Sequence, residues 1–522
     1  MMPLDAKARR AAVEERLRAL GPPPPPRLPP PPEGRLGIDE QPAGQLREAL
    51  ADLGPVFASF GRYLSSRPDV LTRRACTDLR STAQAPCRIS EANVDALMLR
   101  ELGEGPDRRF VGFERDPSER TAWWQRHHAW LASGIPVTVT IVRPDADERL
   151  EEDLPLLALI APWLDAPSEW LAPAIEDFAS TLRTRLDQSQ QAASLVLLCE
   201  DAEAGGALDA PRCYLDHSAR RILTTERVDG VSLARAIGID TDQPDGSAVD
   251  REAVARQLAA AWLRQSTTGR VVPFDFDLRD LSVRDGRVVM LGGAFEPVSA
   301  AGRERLVNYF VAAAADDPDA AWHWIAAAAD RGAAGKTEIE LRRRLRQVVP
   351  FRDGEWSGGD RLAEYLLVQW RATREAGWVM QAHPLHVYRG IHAVATASEL
   401  IAHQHDTLVA ALHRERLRVG LTDAQHLLTS GRFHASLAET ARHFIHVPQK
   451  IDELLNLVST GRLRVKADVP DGGERREARN RTVSLVASLV TLVALTFIIR
   501  RMSPAYGAPL EWLGAVLVLL VG

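Results

Sequence analysis

An uncharged apolar run near the end of the chain, VSLVASLVTLVALTFII from Val483 to Ile499, limits the fold most strongly. As a helix with a rise of 1.5 Å per residue it would measure about 25 Å, which is close to the hydrocarbon thickness of a bilayer. A second apolar run, Leu510 to Gly522, contains one charged residue, and a Pro- and Gly-containing turn separates the two runs. We therefore predict a membrane hairpin over residues 483–522, with membrane lipid as its partner.

Charges beside the first apolar run predict its orientation. Residues 475–481, RREARNR, precede it and favour a cytoplasmic position for the rest of the chain. Arg500 and Arg501 follow the run and weaken that assignment. A buried core helix is the alternative interpretation of the run, but the run comes after the last segment with a globular pattern.

The first 40 residues form a separate region in the sequence. Asp5 to Leu20 has apolar residues at helical spacing and predicts a short amphipathic helix. Gly21 to Pro32, GPPPPPRLPPPP, must be extended because proline fixes φ and lacks a donor N–H. We interpret this segment as a semi-rigid linker, with a ligand for a proline-binding domain as the alternative.

Between the two ends, the pattern divides the chain into a small β-rich part and a larger helical part. Residues 41–105 are helical in pattern, and residues 229–465 are mostly helical with a short hairpin around Val271 to Leu291. Residues 106–228 contain three short β-rich runs, which are Phe110 to Phe113, Val137 to Val142 and Leu195 to Leu198. The sequence therefore predicts an α+β fold that is predominantly helical, followed by a basic linker at 466–482.

Overall charge and the cysteines exclude some classes of protein. The formal net charge is −6 over 522 residues, which gives no reason to expect a nucleic-acid partner. The four cysteines have neither the spacing of metal ligands nor the density of a disulfide framework, and we predict reduced, mostly buried thiols.

Residues Leu53 to Asp69, LGPVFASFGRYLSSRPD, resemble the signature of the UbiB/AarF family of atypical kinase-like proteins. That signature reads Leu-Gly-Pro-x-x-x-Lys-x-Gly-Gln, followed by Arg-x-Asp. Ser59 stands where the family has lysine, and Arg62 stands where it has glutamine. The resemblance implies a bilobal kinase-like fold with a β-rich N-lobe at 106–228 and a helical C-lobe at 229–465. It covers roughly Gln41 to Gly522, including the closing hairpin that this family often carries.

The nucleotide-binding strand and loop of the family have counterparts here that lack the chemical groups. Val137 to Asp145, VTVTIVRPD, is similar to the family's third-strand motif, and Thr140 stands where the family has a lysine that holds the ATP phosphates. Glu119 to His127, ERTAWWQRH, takes the place of an alanine-rich loop over the nucleotide. Tryptophan, glutamate and arginine side chains do not allow the close backbone approach of a phosphate loop.

A helix with the sequence FASTLRTRLDQ resembles the family segment that ends in Glu-Leu-Asp. Arg185 replaces that glutamate, Asp187 is retained, and Ala179 stands where the strand lysine finds its carboxylate. The family's lysine and its carboxylate partner are thus lost on both sides, at Thr140 and Ala179 and again at Ser59 and Arg185. Loss of both members of a buried pair can be neutral, whereas loss of one leaves an unpaired charge, so paired loss indicates a stable, inactive descendant.

The remaining motifs of the family complete the candidate site. Glu226 retains the hinge glutamate, in TTERVDGV, and Asp275 retains the catalytic aspartate. Asp280 replaces the metal-binding asparagine at the same spacing. Leu291 stands at the aspartate of the Asp-x-Gly motif and has no oxygen to offer Mg²⁺. The resemblance therefore implies a site that has lost the main electrostatic parts of phosphoryl transfer.

Three functions are compatible with these residues. The resemblance implies a membrane-anchored pseudokinase that needs no cofactor. Its role would be to support isoprenoid-quinone (ubiquinone) biosynthesis or lipid homeostasis at the bacterial inner membrane, with quinone-biosynthesis proteins or a lipid or isoprenoid ligand as partners. The alternative is an active atypical ATPase or kinase, which binds ATP and Mg²⁺ through Asp187, Asp275 and Asp280. The third is a scaffold that binds proteins through the proline-rich segment and the helical lobe.

Five histidines could suggest a metal site, at positions 383, 386, 392, 403 and 405. Two of them, His392 and His403, fall on one face of a helix. No carboxylate or cysteine spacing completes a ligand set, so the sequence predicts no metal there.

Overall fold

The computed structural model describes residues 6–22, 43–67, 70–71, 73–164, 171–229, 232–238, 250–314, 324, 329–332, 335–346, 361–380, 382–403, 407–412 and 414. The chain divides into two compact units, residues 1–425 and 426–522, and all described residues belong to the first. The predicted extended segment at Pro23 to Pro32, the basic linker at 466–482 and the hairpin at 483–522 lie outside the described residues.

Helices form the N-terminal part of the first unit. They are α1 (Ala6–Arg18), α2 (Ala43–Asp52), α3 (Pro55–Ser65), α4 (Arg73–Arg80), α5 (Glu91–Leu102) and α6 (Pro106–Arg109). The helix predicted at the N-terminus is confirmed as α1. Helix α3 begins with Pro55 at a first-turn position, where a missing N–H costs nothing, after Gly54 at φ 106°. Its apolar face buries Phe57, Phe60 and Leu64 completely.

The small lobe contains an antiparallel sheet of five strands, which are β1 (Gly112–Phe113), β2 (Glu119–Arg120), β3 (Trp124–Trp130), β4 (Pro136–Val142) and β5 (Ile222–Glu226). The strands run in the order β1-β3-β4-β5, and β2 pairs with β3. Alternation along β4 places Val137, Val139 and Ile141 in one apolar core. Thr140 therefore lies on the opposite face, directly across from Arg126 of β3.

Two long helices lie between β4 and β5 in the chain. The connection contains α7 (Ala146–Asp153), a 3₁₀ segment (Leu154–Trp163), α8 (Leu171–Leu186) and α9 (Gln188–Glu203). The prediction of a strand at Leu195 to Leu198 is wrong, because these residues lie within α9, where Leu195 and Leu198 are fully buried. A short apolar run has no periodicity that distinguishes a buried helix from a strand.

The larger lobe is mostly helical, as predicted. Its helices are α10 (Leu233–Ala236), α11 (Arg251–Thr268), α12 (Ala300–Ala314), α13 (Glu338–Arg346), α14 (Arg361–Glu375) and α15 (Ala382–Ala402). Gly390 allows α15 to approach α11 closely, because a Cβ there would lie 2.6 Å from the Trp262 ring. The Trp262 indole is fully buried and donates a 2.7 Å hydrogen bond to the carbonyl of Pro273.

Three strand pairs accompany these helices. Strand β6 (Val271–Asp275) pairs with β9 (Ala294–Pro297), and β7 (Leu281–Arg284) pairs with β8 (Arg287–Met290). Strand β10 (Ala329–Arg331) pairs with β11 (Trp378–Met380). The predicted hairpin around Val271 to Leu291 is confirmed in part, as the β7–β8 pair.

No helix among the described residues is both long and apolar enough to cross a bilayer.

Candidate functional site

The loop from Asp275 to Asp280 forms the centre of the candidate site. Asp275 ends β6, and Asp280 comes directly before β7. The loop closes on itself, because the Asp277 backbone N–H donates to Asp280 Oδ2 at 3.0 Å and the Arg279 N–H donates to Asp277 Oδ1 at 2.7 Å. The Leu291 N–H donates to the Asp280 carbonyl at 2.7 Å, so the two positions aligned with metal ligands are adjacent.

Two arginines from distant helices reach this loop. Arg62 of α3 places Nη2 2.8 Å from Asp277 Oδ2. Arg185 of α8 places Nη2 2.8 Å from Asp280 Oδ2, and its Nη1 donates to the Asp275 carbonyl at 3.1 Å. Arg62, in the signature, and Arg185, at the position of a family glutamate, therefore both contact the aspartate loop.

Asp275 pairs with a buried arginine of the larger lobe. Arg389 of α15 places Nη2 3.3 Å from Asp275 Oδ2, and its side chain is only 1% exposed. Arg185 Nη1 lies 3.8 Å from the same oxygen. Asp275 thus lies within ion-pair distance of two guanidinium groups.

Burial and charge shift the pKa values of the loop carboxyls in opposite directions. Burial alone would raise the pKa of Asp277, but Arg62, Arg279 and Arg185 outweigh it and lower this pKa below its ordinary value. Burial raises the pKa of Asp280, and the nearby guanidinium of Arg185 opposes this rise without cancelling it. The same aspartates raise the pKa of Arg185 even though its burial acts the other way.

Thr140 has no charge of its own, but an arginine lies opposite it on the neighbouring strand. Thr140 and Arg126 are direct partners across β4 and β3, so their side chains share one face of the sheet. Arg126 donates to Glu119 Oε2 at 2.6 Å and stacks over the Trp124 ring at 4.2 Å. Positive charge from Arg126 also acts on Asp280.

The serine at the signature lysine position is bonded to the tryptophan-containing loop. Ser59 Oγ accepts a 2.8 Å hydrogen bond from the Trp123 indole and a 2.9 Å hydrogen bond from the Gln84 amide. The paired-loss hypothesis placed Ser59 with Arg185, whereas the hydrogen bonds of Arg185 go to the aspartate loop. Ala179 is buried on α8.

Two further predicted site residues have their own local partners. Asp187 is the N-cap of α9 and accepts from the N–H groups of Ser189 and Gln190. Glu226, at the end of β5, accepts from Arg284 Nη1 at 3.2 Å and from the Arg212 N–H at 3.2 Å. Both carboxylates thus bind residues outside the Asp275–Asp280 loop.

A buried polar network around Asp177 is not predicted by the sequence. Asp177 of α8 accepts from the hydroxyl of Tyr63 at 2.7 Å and from Arg389 at 3.1 Å. His386 lies between Asp177 and Glu296, with ring nitrogens 3.1 Å and 2.8 Å from their oxygens, and stacks on Phe274 at 3.9 Å. Burial lowers the pKa of His386, but both carboxylates raise it and the net shift is upward.

No sequence motif marks this network, because its members come from α3, α8, β9 and α15. One residue of a known motif does lie beside the network. Arg67, the arginine of the family's Arg-x-Asp, hydrogen-bonds Tyr63. Within the ranges described, no group of three or more His, Cys, Asp or Glu side chains is arranged to hold a metal ion.

Mg²⁺ does not fit the residues at the positions of the family's metal ligands. This cation takes oxygen ligands in near-octahedral geometry. Asp280 Oδ2 already accepts from Arg185 and from a backbone N–H, and Leu291 has no side-chain oxygen. Phosphoryl transfer depends on positive charge and metal ions at the phosphates, and here Thr140 carries no charge and Leu291 has no side chain that binds a metal.

Comparison with known proteins identifies the class. Residues 82–323 match the ABC1 atypical kinase-like domain. This region contains Thr140, Ala179, Arg185, Asp275, Asp280 and Leu291, while Ser59 and Arg62 precede it. The fold is kinase-like, mostly helical with a sheet in the N-lobe, and this part of the chain is similar to the UbiB/AarF family of atypical kinase-like proteins.

Individual relatives show the same similarity over part of their length. "Probable protein kinase UbiB" of Azotobacter vinelandii is 32% identical over 212 residues, which cover 39% of this chain and 40% of that protein. The protein of the same name from Cellvibrio japonicus is 27% identical over 206 residues, covering 38% and 37%. "Uncharacterized protein Rv0647c" of Mycobacterium tuberculosis is 28% identical over 254 residues, covering 45% and 52%. The chain thus spans between a third and about half of the length of these relatives.

Solved structures give more distant matches. The Rv3197–erythromycin complex from Mycobacterium tuberculosis is 17% identical, with a TM-score of 0.38, and the match covers 70% of this chain and 96% of that one. Vaccinia related kinase 3 is 12% identical, with a TM-score of 0.24, and the match covers 58% and 88%.

Proposed function

We propose that this chain is a pseudokinase of the UbiB/AarF family, which has kept the kinase-like fold and does not transfer phosphoryl groups. The observation that carries the proposal is the 2.8 Å contact between the guanidinium of Arg185 and the carboxylate of Asp280. A guanidinium there competes with the metal ion that the reaction needs. Threonine at position 140 and leucine at position 291 support the same conclusion, because neither can supply charge to a bound phosphate.

We further propose that the protein supports isoprenoid-quinone (ubiquinone) biosynthesis or lipid homeostasis at the bacterial inner membrane. The similarity to this family and the apolar runs at 483–522 support this role. The kinase-like body would be cytoplasmic, and its partners would be membrane lipid together with quinone-biosynthesis proteins or a lipid or isoprenoid ligand.

The catalytic part of the proposal is tested by ATP turnover. The full-length protein, purified in detergent, is incubated with Mg-ATP, and released phosphate and autophosphorylation are measured. We expect the wild type to match the D275A/D280A variant at background. Turnover that D275A/D280A abolishes would contradict the proposal.

The cellular part requires a separate experiment. Deleting the protein from its native host should lower the content of isoprenoid quinone or alter membrane lipid composition. D275A should restore the content as well as the wild type does, because the proposed role needs no phosphoryl transfer. Rescue by the wild type but not by a stably expressed D275A would contradict the pseudokinase role.

An active ATPase is the second candidate, and Arg126 is the observation in its favour. Its guanidinium lies across from Thr140 on the same face and is held by Glu119 and Trp124. An arginine from β3 could therefore supply the charge that the lysine of the next strand supplies in the family. Under this alternative, R126Q would abolish the turnover sought above.

A further inference from the structure

The aspartate loop has an arginine for each of its carboxylates. Asp277 pairs with Arg62 at 2.8 Å, Asp280 with Arg185 at 2.8 Å, and Asp275 with Arg389 at 3.3 Å. These arginines come from α3, α8 and α15, so none of the pairs results from proximity in sequence. Such an arrangement requires the tertiary fold to bring each cation to its carboxylate.

The Asp280 carboxylate is so deeply buried that its charge needs a nearby cation or hydrogen-bond donors. The side chain of Asp280 is 4% exposed, and an ionised carboxylate so far from water costs several kcal/mol unless a cation or hydrogen-bond donors offset it. In a metal-dependent site of this kind, divalent ions supply that charge. Here the Arg185 guanidinium and the Asp277 N–H supply it to the same oxygen, Oδ2.

The other oxygen of Asp280 faces backbone and an amide. A Cβ at Gly292 would lie 3.6 Å from Asp280 Oδ1 and 3.8 Å from Gln191 Oε1, so these groups are close together. Gln191 Oε1 already accepts from the Gly293 N–H at 3.3 Å. The amide oxygen near Asp280 Oδ1 is thus already engaged by a backbone N–H.

We propose that Arg62 and Arg185 are tethered cations that take over the electrostatic role of the divalent metal, so that the loop is formed and neutralised without Mg²⁺. This inference rests on the proposed function, since it explains how the site is stable without the metal of an active kinase. The inference predicts how the protein binds metal ions, whereas the proposed function predicts that the protein does not turn over ATP. The charge is permanent, since a guanidinium remains protonated in proteins.

A specific consequence follows for substitution of these arginines. The resemblance places glutamine and glutamate at the positions of Arg62 and Arg185. R62Q/R185E removes both tethered cations and adds a carboxylate beside Asp275 and Asp280. Carboxylates are the ligands that hard divalent cations prefer, and Asp280 would lose its guanidinium partner, so this variant should acquire affinity for Mg²⁺ and Mn²⁺.

The test is a Mn²⁺ titration of the full-length protein followed by electron paramagnetic resonance, which reports free Mn²⁺. We expect no saturable Mn²⁺ site in the wild type and a saturable site in R62Q/R185E. The affinity of R62Q/R185E for Mn²⁺ should exceed the weak, non-saturable binding of the wild type by at least about tenfold, equivalent to about 1.4 kcal/mol. D280N in the R62Q/R185E background should remove it. R183Q is the matched control, because Arg183 lies two residues from Arg185 on α8 but pairs with exposed Glu151.

Melting temperature gives a second measurement. R62Q/R185E should melt lower than the wild type in EDTA and recover part of the loss in Mn²⁺, while the wild type and R183Q should be unaffected by either. The single variant R185Q, which adds no charge, replaces the double variant if the latter does not fold.

Two results would overturn the proposal. One is a saturable Mn²⁺ site in the wild type that D280N removes, a measurement that needs no arginine variant to fold. The other is a folded R62Q/R185E or R185Q that gains no Mn²⁺ affinity. Turnover of Mg-ATP by a wild type without such a site would contradict the proposed function and leave this inference intact.

Discussion

The indole nitrogen of Trp123 donates a 2.8 Å hydrogen bond to the hydroxyl of Ser59. These are two positions at which the chain departs from the family pattern, one in the signature helix and one in the loop before β3. A tryptophan in the loop thus hydrogen-bonds the serine that stands where the family has lysine. Gln84 donates to the same hydroxyl.

Ser59→Lys is therefore expected to destabilise the protein. An ammonium beside the buried Trp123 ring, with no carboxylate contact shown for Ser59, should cost about 1–3 kcal/mol of unfolding free energy. Ser59→Ala is the control and should cost about 0.5–1.5 kcal/mol through lost hydrogen bonds. Urea unfolding measures both, and a Ser59→Lys variant as stable as the wild type would show that the site accommodates a lysine.

Thr140→Lys tests the strand position. Arg126 lies directly opposite, so a new ammonium should lower stability by about 1–3 kcal/mol. Thr138→Lys, on the same face but opposite His128, is the control and should cost less. Adding Ala179→Glu should recover part of the loss, with a coupling energy of about 1 kcal/mol in a double-mutant cycle. Additive effects would mean that positions 140 and 179 do not face each other.

His386 should make stability depend on pH. Asp177 and Glu296 raise its folded pKa above the unfolded value of about 6.5, so its stabilising contribution is complete below that pH. The contribution is lost as pH rises through the folded pKa. The unfolding free energy of the wild type should therefore fall across this window, and His386→Gln should remove the decline. His128→Gln, at a more exposed histidine, is the control, and an unchanged decline in His386→Gln would refute the assignment.

The apolar runs predict membrane association. The full chain should sediment with membranes after gentle lysis, whereas a chain shortened to end near Asp471 should remain in the supernatant. Recovery of the full chain in the supernatant after ultracentrifugation would contradict the predicted hairpin at 483–522.

Local patterns predicted the parts of the fold that depend on local physics. A Val-rich run predicts β4, and helical spacing predicts α1. Leu195 to Leu198 was misassigned because four consecutive apolar residues fit a buried helix as well as a strand. Family spacing identified the Asp275 to Asp280 loop.

The pairings within the site could not be predicted in the same way. Arg62 and Asp277 are 215 positions apart, and Arg389 and Asp177 are 212 positions apart. Only the packing of α3, α8 and α15 brings these side chains together, and a single sequence contains no record of it. For the same reason, the family pattern pairs Arg185 with Ser59, whereas the structure places Arg185 on Asp280.

The most direct measurement of the central claim is the melting temperature of the full-length protein with and without Mg-ATP. A nucleotide bound at 100 times its dissociation constant would stabilise the fold by about 2.7 kcal/mol, which this assay detects readily. Because Arg185 and Arg62 hold the aspartate loop, we predict no shift in the wild type. A clear shift with Mg-ATP that D275A/D280A abolishes would contradict the account.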